Sequence, residues 1–400
     1  MHSPVIRAIA LLAFFAAPVV SQSQAAPVTG VFITKLGADT IAIERYTRSG
    51  DKLAGDLLMR GMPRVRIIHY VADIAPTGMI KAMTISTRLV GIDSATPPMM
   101  SITTLFADSV ATVDVARAGI PDTTNSGKKI YHGYVMPQVQ FAPASYAVYE
   151  QILSSSKLNG SDSVGYIVIS PGRRPAPTIW LSRRGRDTVA FTSTAFPGWI
   201  EVARVDAQGH LLGVNSSATT VKTTSTRADK VDFDAISKAW AASEASRGVM
   251  SQMSPPDTVR STVGAAKIEV AYSRPYKRGR VIFGSDVVPW NKVWRTGANA
   301  ATQFTTSSDL IIGDKLVPAG KYTLWTLPTP TGAKLIINSQ TGQWGTDYDA
   351  SKDFARLDLT TKTLTAPVDE FTIAVVPQGS GGWLRFSWDT TEYSIPFTIK

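Results

Sequence analysis

The sequence contains no cysteine. Disulfides, thiol nucleophiles and cysteine-bound metals are therefore excluded. Small exported proteins commonly depend on disulfides, whereas a chain of 400 residues can bury a core large enough to fold without them. This length predicts two domains.

Histidine is also scarce, with four residues in the whole chain. His69, His132 and His210 are far apart and lack the paired spacing of metal ligands. The sequence also lacks the G-x-S-x-G turn that presents the nucleophile of many serine hydrolases. We therefore expect no metal and no cofactor. Whether the chain is an enzyme stays open at this point, and the pattern favours a protein that is not one.

Long apolar runs are missing after the N-terminus, and the N-terminal run is short. Ala8–Val20 is apolar, follows Arg7, and precedes small and polar residues. This order predicts a secretory signal peptide over residues 1–25, cleaved after Ala25. Because about 20 apolar residues are needed to span a bilayer, we expect no transmembrane segment once the signal is removed. The predicted location is the periplasm or the extracellular space.

Acidic residues are outnumbered by basic ones, which gives a net charge of +10. A basic surface favours an acidic partner, either an acidic protein face or anionic lipid at a membrane surface. The charge is scattered along the chain, so we expect no nucleic acid. Two clusters are candidates to face such a partner, and the alternative is that they are solvated hairpin tips. They are Arg173, Arg174, Arg183, Arg184 and Arg186 in the first, and Arg274, Lys277, Arg278 and Arg280 in the second.

What the sequence does contain is alternation. Short runs of alternating polar and apolar residues over 26–248 predict an antiparallel β-rich N-terminal domain. Helical spacing interrupts them near 145–157 and 233–247. The Pro- and Ser-rich segment 249–263 predicts a linker, and the alternation over 264–400 predicts a C-terminal β-sandwich or jelly-roll-like domain. The expected fold class is mainly β.

Five C-terminal segments resemble a known family: SRPYKRGRVIFG, VWRTGANAATQF, VPAGKYTLWTLP, NSQTGQWGTDYD and SWDTTEYSIPF. Over about residues 250–400 the chain resembles the bacterial domain-of-unknown-function family 2911. The resemblance implies a β-rich exported domain and no established activity. The N-terminal part is loosely similar to the curved half-barrel domains that hold lipids in the periplasm.

The segment VWRTGAN is the first candidate for ligand binding. Trp294 could stack on a ring, Arg295 could hold an anion through its planar guanidinium, and Asn299 could orient a hydroxyl. In the structural alternative, Trp294 lies in the core and Arg295 pairs with an interior carboxylate such as Asp347 or Asp353. The small residues around Asn299 and the lack of a nucleophile favour the structural alternative.

The loop-like segment GQWGTDYD is the second candidate. Trp344 and Tyr348 are the aromatic pair that we expect to be exposed there. Exposed aromatic rings would suit a carbohydrate, whereas aromatic residues in alternating segments more often fill a sandwich core.

Together these features predict an exported, non-enzymatic binding or accessory protein of the bacterial envelope. Two alternatives stay open. One is a periplasmic structural subunit attached to a membrane protein complex, which a broad exposed apolar or basic face would favour. The other is a carbohydrate-active or other hydrolytic enzyme of unrecognised type, which a cleft with convergent carboxylates would favour.

Overall fold

A computed structural model describes residues 26–60, 64–119, 126–133, 136–141, 144–156, 158, 163–171, 175–195, 198–247 and 253–400. The predicted signal peptide, Arg173 and Arg174 lie outside the described residues. Within them the chain forms 24 strands, two α-helices and one short 3-10 helix. The fold is mainly β, which confirms the predicted class.

The N-terminal part holds the first fifteen strands and both helices. In chain order they are β1 Val28–Leu36, β2 Asp39–Ser49, β3 Lys52–Met59, β4 Arg66–Ile74, β5 Ile80–Leu89, β6 Met100–Ala107, β7 Val110–Arg117, β8 Gly127–Tyr131, β9 Gln138–Val139, α1 Tyr146–Ser155, β10 Ser163–Val168, β11 Thr178–Arg183, β12 Thr188–Ser193, β13 Ile200–Val205, β14 Leu211–Asn215, β15 Thr224–Ala228 and α2 Phe233–Arg247.

These fifteen strands form one sheet in the order β8-β7-β6-β5-β4-β3-β2-β1-β15-β14-β13-β12-β11-β10-β9. Neighbours are antiparallel except β9 and β10, which run parallel. Buried and exposed residues alternate along the strands, as in β13, so one face is turned to a core. Residues from strands far apart in the sheet join a single core cluster around α1. The sheet is therefore strongly curved, and α1 lies on its concave side.

The N-terminus of α1 is held by a carboxylate from the sheet. Glu44 on β2 accepts hydrogen bonds from the backbone N–H groups of Tyr146 at 2.7 Å and Ala147 at 3.2 Å, and from the hydroxyl of Tyr70. Ser145 precedes the helix but makes no side-chain cap. First-turn N–H groups lack partners within a helix, and the helix dipole favours negative charge there. Glu44 thus replaces a local cap and attaches α1 to the sheet.

The second helix packs on the opposite face of the same sheet. Phe233 and Trp240 of α2 form a core cluster with Ile43 and Leu58. The adjacent strand residues Ala42 and Leu57 point to the other face and belong to the core around α1. The side chain of Asp232 accepts from the backbone N–H of Ala235 at 2.9 Å and caps the helix. Neither of the two helices that the structure describes is long and apolar enough to cross a membrane.

The C-terminal part consists of strands alone, apart from the 3-10 helix Ala350–Lys352. In chain order the strands are β16 Pro256–Val263, β17 Ala266–Ser273, β18 Thr302–Thr306, β19 Leu310–Ile312, β20 Lys315–Val317, β21 Gly320–Thr329, β22 Gly332–Asn338, β23 Asp353–Gln378 and β24 Gly381–Ile399.

These nine strands form a second sheet in the order β16-β17-β18-β21-β22-β23-β24-β19-β20. The long strand β23 pairs with β22 along its first part and with β24 beyond it, and the β23–β24 ladder shifts register between residues 363 and 372. β16, at one end of the strand order, contacts β23. The sheet therefore folds back on itself as a sandwich around one core cluster.

The segment predicted as a linker, 249–263, includes β16, which pairs with β17 over its whole length. Pro255 and Pro256 suggested a linker, but proline is compatible with the first residue of a strand. The two halves meet at the loop that follows β17. The backbone N–H of Ala38 donates to the carbonyl of Arg278 at 2.9 Å, and Arg278 pairs with Asp39.

We expect residues 253–400 to fold in isolation, because their core cluster contains no residue of the N-terminal part. The fragment should show β-type circular dichroism and one cooperative thermal transition. A fragment of residues 264–400 serves as the control. It lacks β16 and should be insoluble or unfold without cooperativity. A non-cooperative transition in the longer fragment would contradict two independent cores.

Glu44 predicts a pH dependence of stability. Burial raises the pKa of its carboxyl from 4.5 to about 7, although its hydrogen bonds oppose that shift. The folded state then binds this proton more tightly than the unfolded chain. The contribution of Glu44 to stability is therefore greatest below pH 4.5 and falls by about 3 kcal/mol as pH rises towards 7.

Urea titrations at pH steps between these values would measure this slope. Glu44→Gln cannot titrate and should flatten the slope between pH 5 and 7, where the carboxyl is ionised in the unfolded chain and still largely protonated in the folded protein. An unchanged slope in this variant would assign the dependence to another group.

Candidate functional site

A cavity of about 530 Å³ lies where the concave face of the N-terminal sheet meets the C-terminal sheet. The N-terminal wall comes from β1, β2, α1 and the loop before β15, and the C-terminal wall from residues 275–299, Trp344 and Trp388. Most of the lining side chains are apolar or aromatic. Neither half forms this cavity alone.

Two tyrosines of α1 form part of the N-terminal wall. Tyr146 and Tyr149 are three residues apart, so one face of the helix carries both rings, whose centroids are 5.5 Å apart. The hydroxyl of Tyr149 donates to Oε2 of Glu201 at 2.7 Å, and that of Ser216 donates to Oε1 at 2.6 Å. Burial raises the pKa of Tyr146 to about 12 and also raises that of Tyr149. Both rings therefore remain neutral, and the buried Glu201 has a donor at each oxygen.

Trp294 forms the base of the C-terminal wall. Its ring stacks on Trp388 at 5.7 Å and meets Phe371 edge-on at 5.0 Å. Its backbone N–H donates to the carbonyl of Thr326 at 2.8 Å, and the reverse bond is 2.9 Å. Only 8% of Trp294 is exposed. The residue is thus part of the sandwich core and lines the cavity with one edge.

Arg295, next in sequence, has no carboxylate partner among the described residues, so the predicted pairing with Asp347 or Asp353 is wrong. Asp353 is occupied by Arg356, whose Nε lies 2.8 Å from it, and by the hydroxyl of Tyr348. The Nε of Arg295 is buried without a hydrogen-bond acceptor, and burial lowers the pKa of its guanidinium.

Gly345 leaves space for the Arg295 side chain. A Cβ at Gly345 would overlap the Cδ of Arg295 and the carbonyl oxygen of Asn299. The backbone N–H of Gly345 donates to that same carbonyl at 3.0 Å. The absence of a side chain at this position therefore leaves the space in which Arg295 reaches the cavity.

Two further cations, Lys222 and Arg280, line the same cavity. The Nζ of Lys222 donates to the carbonyl of Ser217 at 3.0 Å, and the guanidinium of Arg280 donates to the carbonyls of Tyr276 and Lys277. Burial lowers the pKa of Lys222. The neighbouring charges of Arg295 and Arg280 lower it further, and Asp286 opposes them. Three positively charged side chains, one from the N-terminal wall and two from the C-terminal wall, therefore line a largely apolar cavity.

The cavity brings together four of the five residues that the sequence suggested for ligand binding: Trp294, Arg295, Asn299 and Trp344. Trp344 is 52% exposed, as expected for it. The side-chain amide of Asn299 donates to Ser273 at 3.3 Å. Tyr348 is not part of the lining, since its ring packs on Trp325 at a centroid distance of 4.9 Å.

Most residues of the second basic cluster form ion pairs with carboxylates of the same chain. This does not favour the prediction that they bind an acidic partner. The ion pairs are Arg274 with Asp257 and Glu370, Lys277 with Asp389, and Arg278 with Asp39. In the first cluster, Arg183 donates to the carbonyl of Arg186 at 3.1 Å. Arg184 and Arg186 are exposed at the turn between β11 and β12.

Sequence reasoning missed Glu201 and Lys222 and did not assign α1 to a site. The spacing of the two tyrosines on one helix face was a usable signal. Lys222 lies in the Thr-rich segment SSATTVKTTST, where nothing in the sequence separates it from any surface lysine. Among the described residues, no group of three or more histidines or acids is placed to hold a metal ion.

Comparison with known proteins confirms the resemblance of the C-terminal part. Residues 254–397 match the family model described as "Protein of unknown function (DUF2911)". No match was found among curated proteins. Among solved structures, a DUF1089 family protein from Pseudomonas aeruginosa aligns with 10% identity and a TM-score of 0.32, covering 44% of this chain and 90% of that one. A likeness this weak supports no conclusion about fold or function.

Trp294→Ala should destabilise the protein by about 3–5 kcal/mol, because it leaves a cavity between Trp388 and Phe371. Arg295→Gln should leave the free energy of unfolding nearly unchanged, since it breaks no ion pair and removes a buried charge. Chemical denaturation of both variants without ligand measures the difference. Similar losses of stability in both would show that Arg295 has a stabilising partner.

Proposed function

We propose that this protein is an exported, non-enzymatic binding protein of the bacterial envelope that holds an amphiphilic small molecule between its two sheets. The observation that carries the proposal is the cavity itself. Its volume of about 530 Å³ falls within the range of roughly 300–1,000 Å³ that is typical of small-molecule sites. Export is supported by the layout of residues 1–25, as read from the sequence.

The chemistry of the lining favours binding over hydrolysis. Glycoside hydrolysis needs two carboxyl groups that flank the reacting bond. Among the described lining residues Glu201 is the one carboxylate, and hydroxyls occupy both of its oxygens. The described lining also includes no histidine that could serve as a general base for a serine or threonine. What remains is a lining of apolar and aromatic side chains with a few charged and polar ones, which suits an amphiphile.

The shared construction of the cavity also favours a binding role. Residues of the loop 294–299 line the cavity from the C-terminal part, and Leu36, Ile41 and Met59 line it from the N-terminal part. An apolar ligand in this position would be shielded from water by both halves. The loose sequence-based similarity of the N-terminal part to lipid-holding half-barrels favours the same kind of ligand.

The test is retention of a neutral apolar fluorophore, such as N-phenyl-1-naphthylamine, by the purified mature protein. We expect saturable enhancement of its fluorescence, and displacement by a neutral monoacylglycerol. Ala298→Phe fills the cavity from its C-terminal wall and should weaken binding about ten-fold or more.

The matched control is Ala116→Phe, which adds the same ring at an exposed alanine of β7 outside the lining. Circular dichroism melts of both variants would verify that they are folded. Equal binding by the wild type and by folded Ala298→Phe would exclude this cavity as the site. Failure of the wild type to take up any amphiphile, neutral or charged, would contradict the proposed function.

A further inference from the structure

We infer that the ligand of this cavity carries a negatively charged head group, a carboxylate or a phosphate, and that Arg295 binds it. Lys222 and Arg280 provide the surrounding positive charge. The inference rests on the proposed function, namely that the cavity holds an amphiphile, and adds the chemical class of its polar end.

The first support is the state of Arg295 itself. Its Nε is buried and has no acceptor, and the described carboxylates form no ion pair with it. A buried charge without a partner is costly, so its retention in a cavity wall needs a compensating group. The planar guanidinium offers two parallel N–H donors that match a carboxylate or phosphate. A ligand anion would supply the missing acceptor.

The second support is the fixed position of the side chain. Gly345 leaves room for the Arg295 stem, and the backbone bond from Gly345 to Asn299 holds the two loops together. The flanking Trp294 is locked into the core by its stacking and by its paired backbone bonds to Thr326. Arg295 is therefore pre-positioned at the cavity, which reduces the entropy cost of binding an anion.

The third support is the sign of the charge around it. Lys222 and Arg280 both line the cavity and donate to backbone carbonyls, and neither forms an ion pair with a described carboxylate. Asp286 acts on Lys222, and Asp369 and Asp39 act on Arg280, but none of the three lines the cavity. Among the described lining residues Glu201 is the one carboxylate, and it is bonded to Tyr149 and Ser216. The lining itself therefore carries more positive than negative charge, which favours an anion.

The fourth support is the apolar remainder of the lining, which argues for an anion attached to a chain rather than a free ion. Leu36, Ile41, Met59 and Val287 line the same cavity as the three cations. A free phosphate would leave this apolar surface unfilled. An anionic amphiphile would pair its head group with Arg295 and bury its chain against these side chains.

The experiment compares ligands of equal chain length and different charge in displacement of the neutral fluorophore. Dodecanoate, dodecyl phosphate and dodecanol are titrated at pH 8, below their micelle-forming concentrations. Inorganic phosphate is the control ligand without an alkyl chain. We expect the two anions to bind about ten-fold or more tightly than the alcohol, with added salt reducing the difference. Whichever anion binds more tightly identifies the head group as carboxylate or phosphate.

Arg295→Gln should abolish the preference for the anions while dodecanol affinity stays within about two-fold. Gly345→Ala should also lose the preference with Arg295 still present, because the added methyl group would overlap the Arg295 side chain and the carbonyl oxygen of Asn299, and a circular dichroism melt checks that this variant is folded. Arg356→Gln is the matched control. It removes an arginine of the same domain that pairs with Asp353 outside the lining, and the preference should persist.

Equal affinity of the wild type for dodecanol and both anions would overturn the inference and leave the proposed function intact. A preference that survives in Arg295→Gln would remove Arg295 from the site. Binding of inorganic phosphate as tightly as dodecyl phosphate would show an anion site that does not use the apolar walls, and this would contradict the amphiphile. Lack of binding by the neutral fluorophore and by all three chain-bearing ligands would reject the proposed function and this inference together.

Discussion

The attachment of α1 to the sheet through Glu44 is the interaction on which the site depends. A carboxylate inside a curved sheet is costly to bury, and here two backbone N–H groups and the Tyr70 hydroxyl offset that cost. These hydrogen bonds fix the start of α1. The orientation of the helix about its own axis then directs Tyr146 and Tyr149 towards the cavity. Without this contact a ten-residue helix would have little reason to persist, because short helices are marginal in water.

A second carboxylate, Glu150, strengthens the attachment further along the helix. It accepts from the hydroxyl of Tyr46 at 2.8 Å and from the backbone N–H of Leu211 at 2.7 Å, and it pairs with Arg227. Strands on both sides of β1 thus contact the same helical residue. The concave surface therefore holds the helix through both polar contacts and apolar packing. The cavity lies next to α1.

We expect the halves to fold independently, but the proposed binding site needs both of them, because both line the cavity. Each half has its own core cluster, yet Ala38 and Asp39 contact Arg278, which lies within the segment 275–299 that forms the C-terminal wall of the cavity. Three arginines of the C-terminal part therefore have different roles. Arg278 joins the halves, Arg356 pairs with the nearby Asp353, and Arg295 reaches the shared cavity without a partner.

The sequence alone determined the local structure. Alternation predicted the strands of both sheets, and the spacing of Tyr146 and Tyr149 predicted one helical face. The small residues around Asn299 marked an unusual loop. The tertiary structure decided which charges are paired, because partners such as Asp39 and Arg278 are distant in sequence and meet only when the sheets are in place. It also decided the site, since Lys222 and Arg295 come from different halves and approach each other only across a cavity that neither half contains.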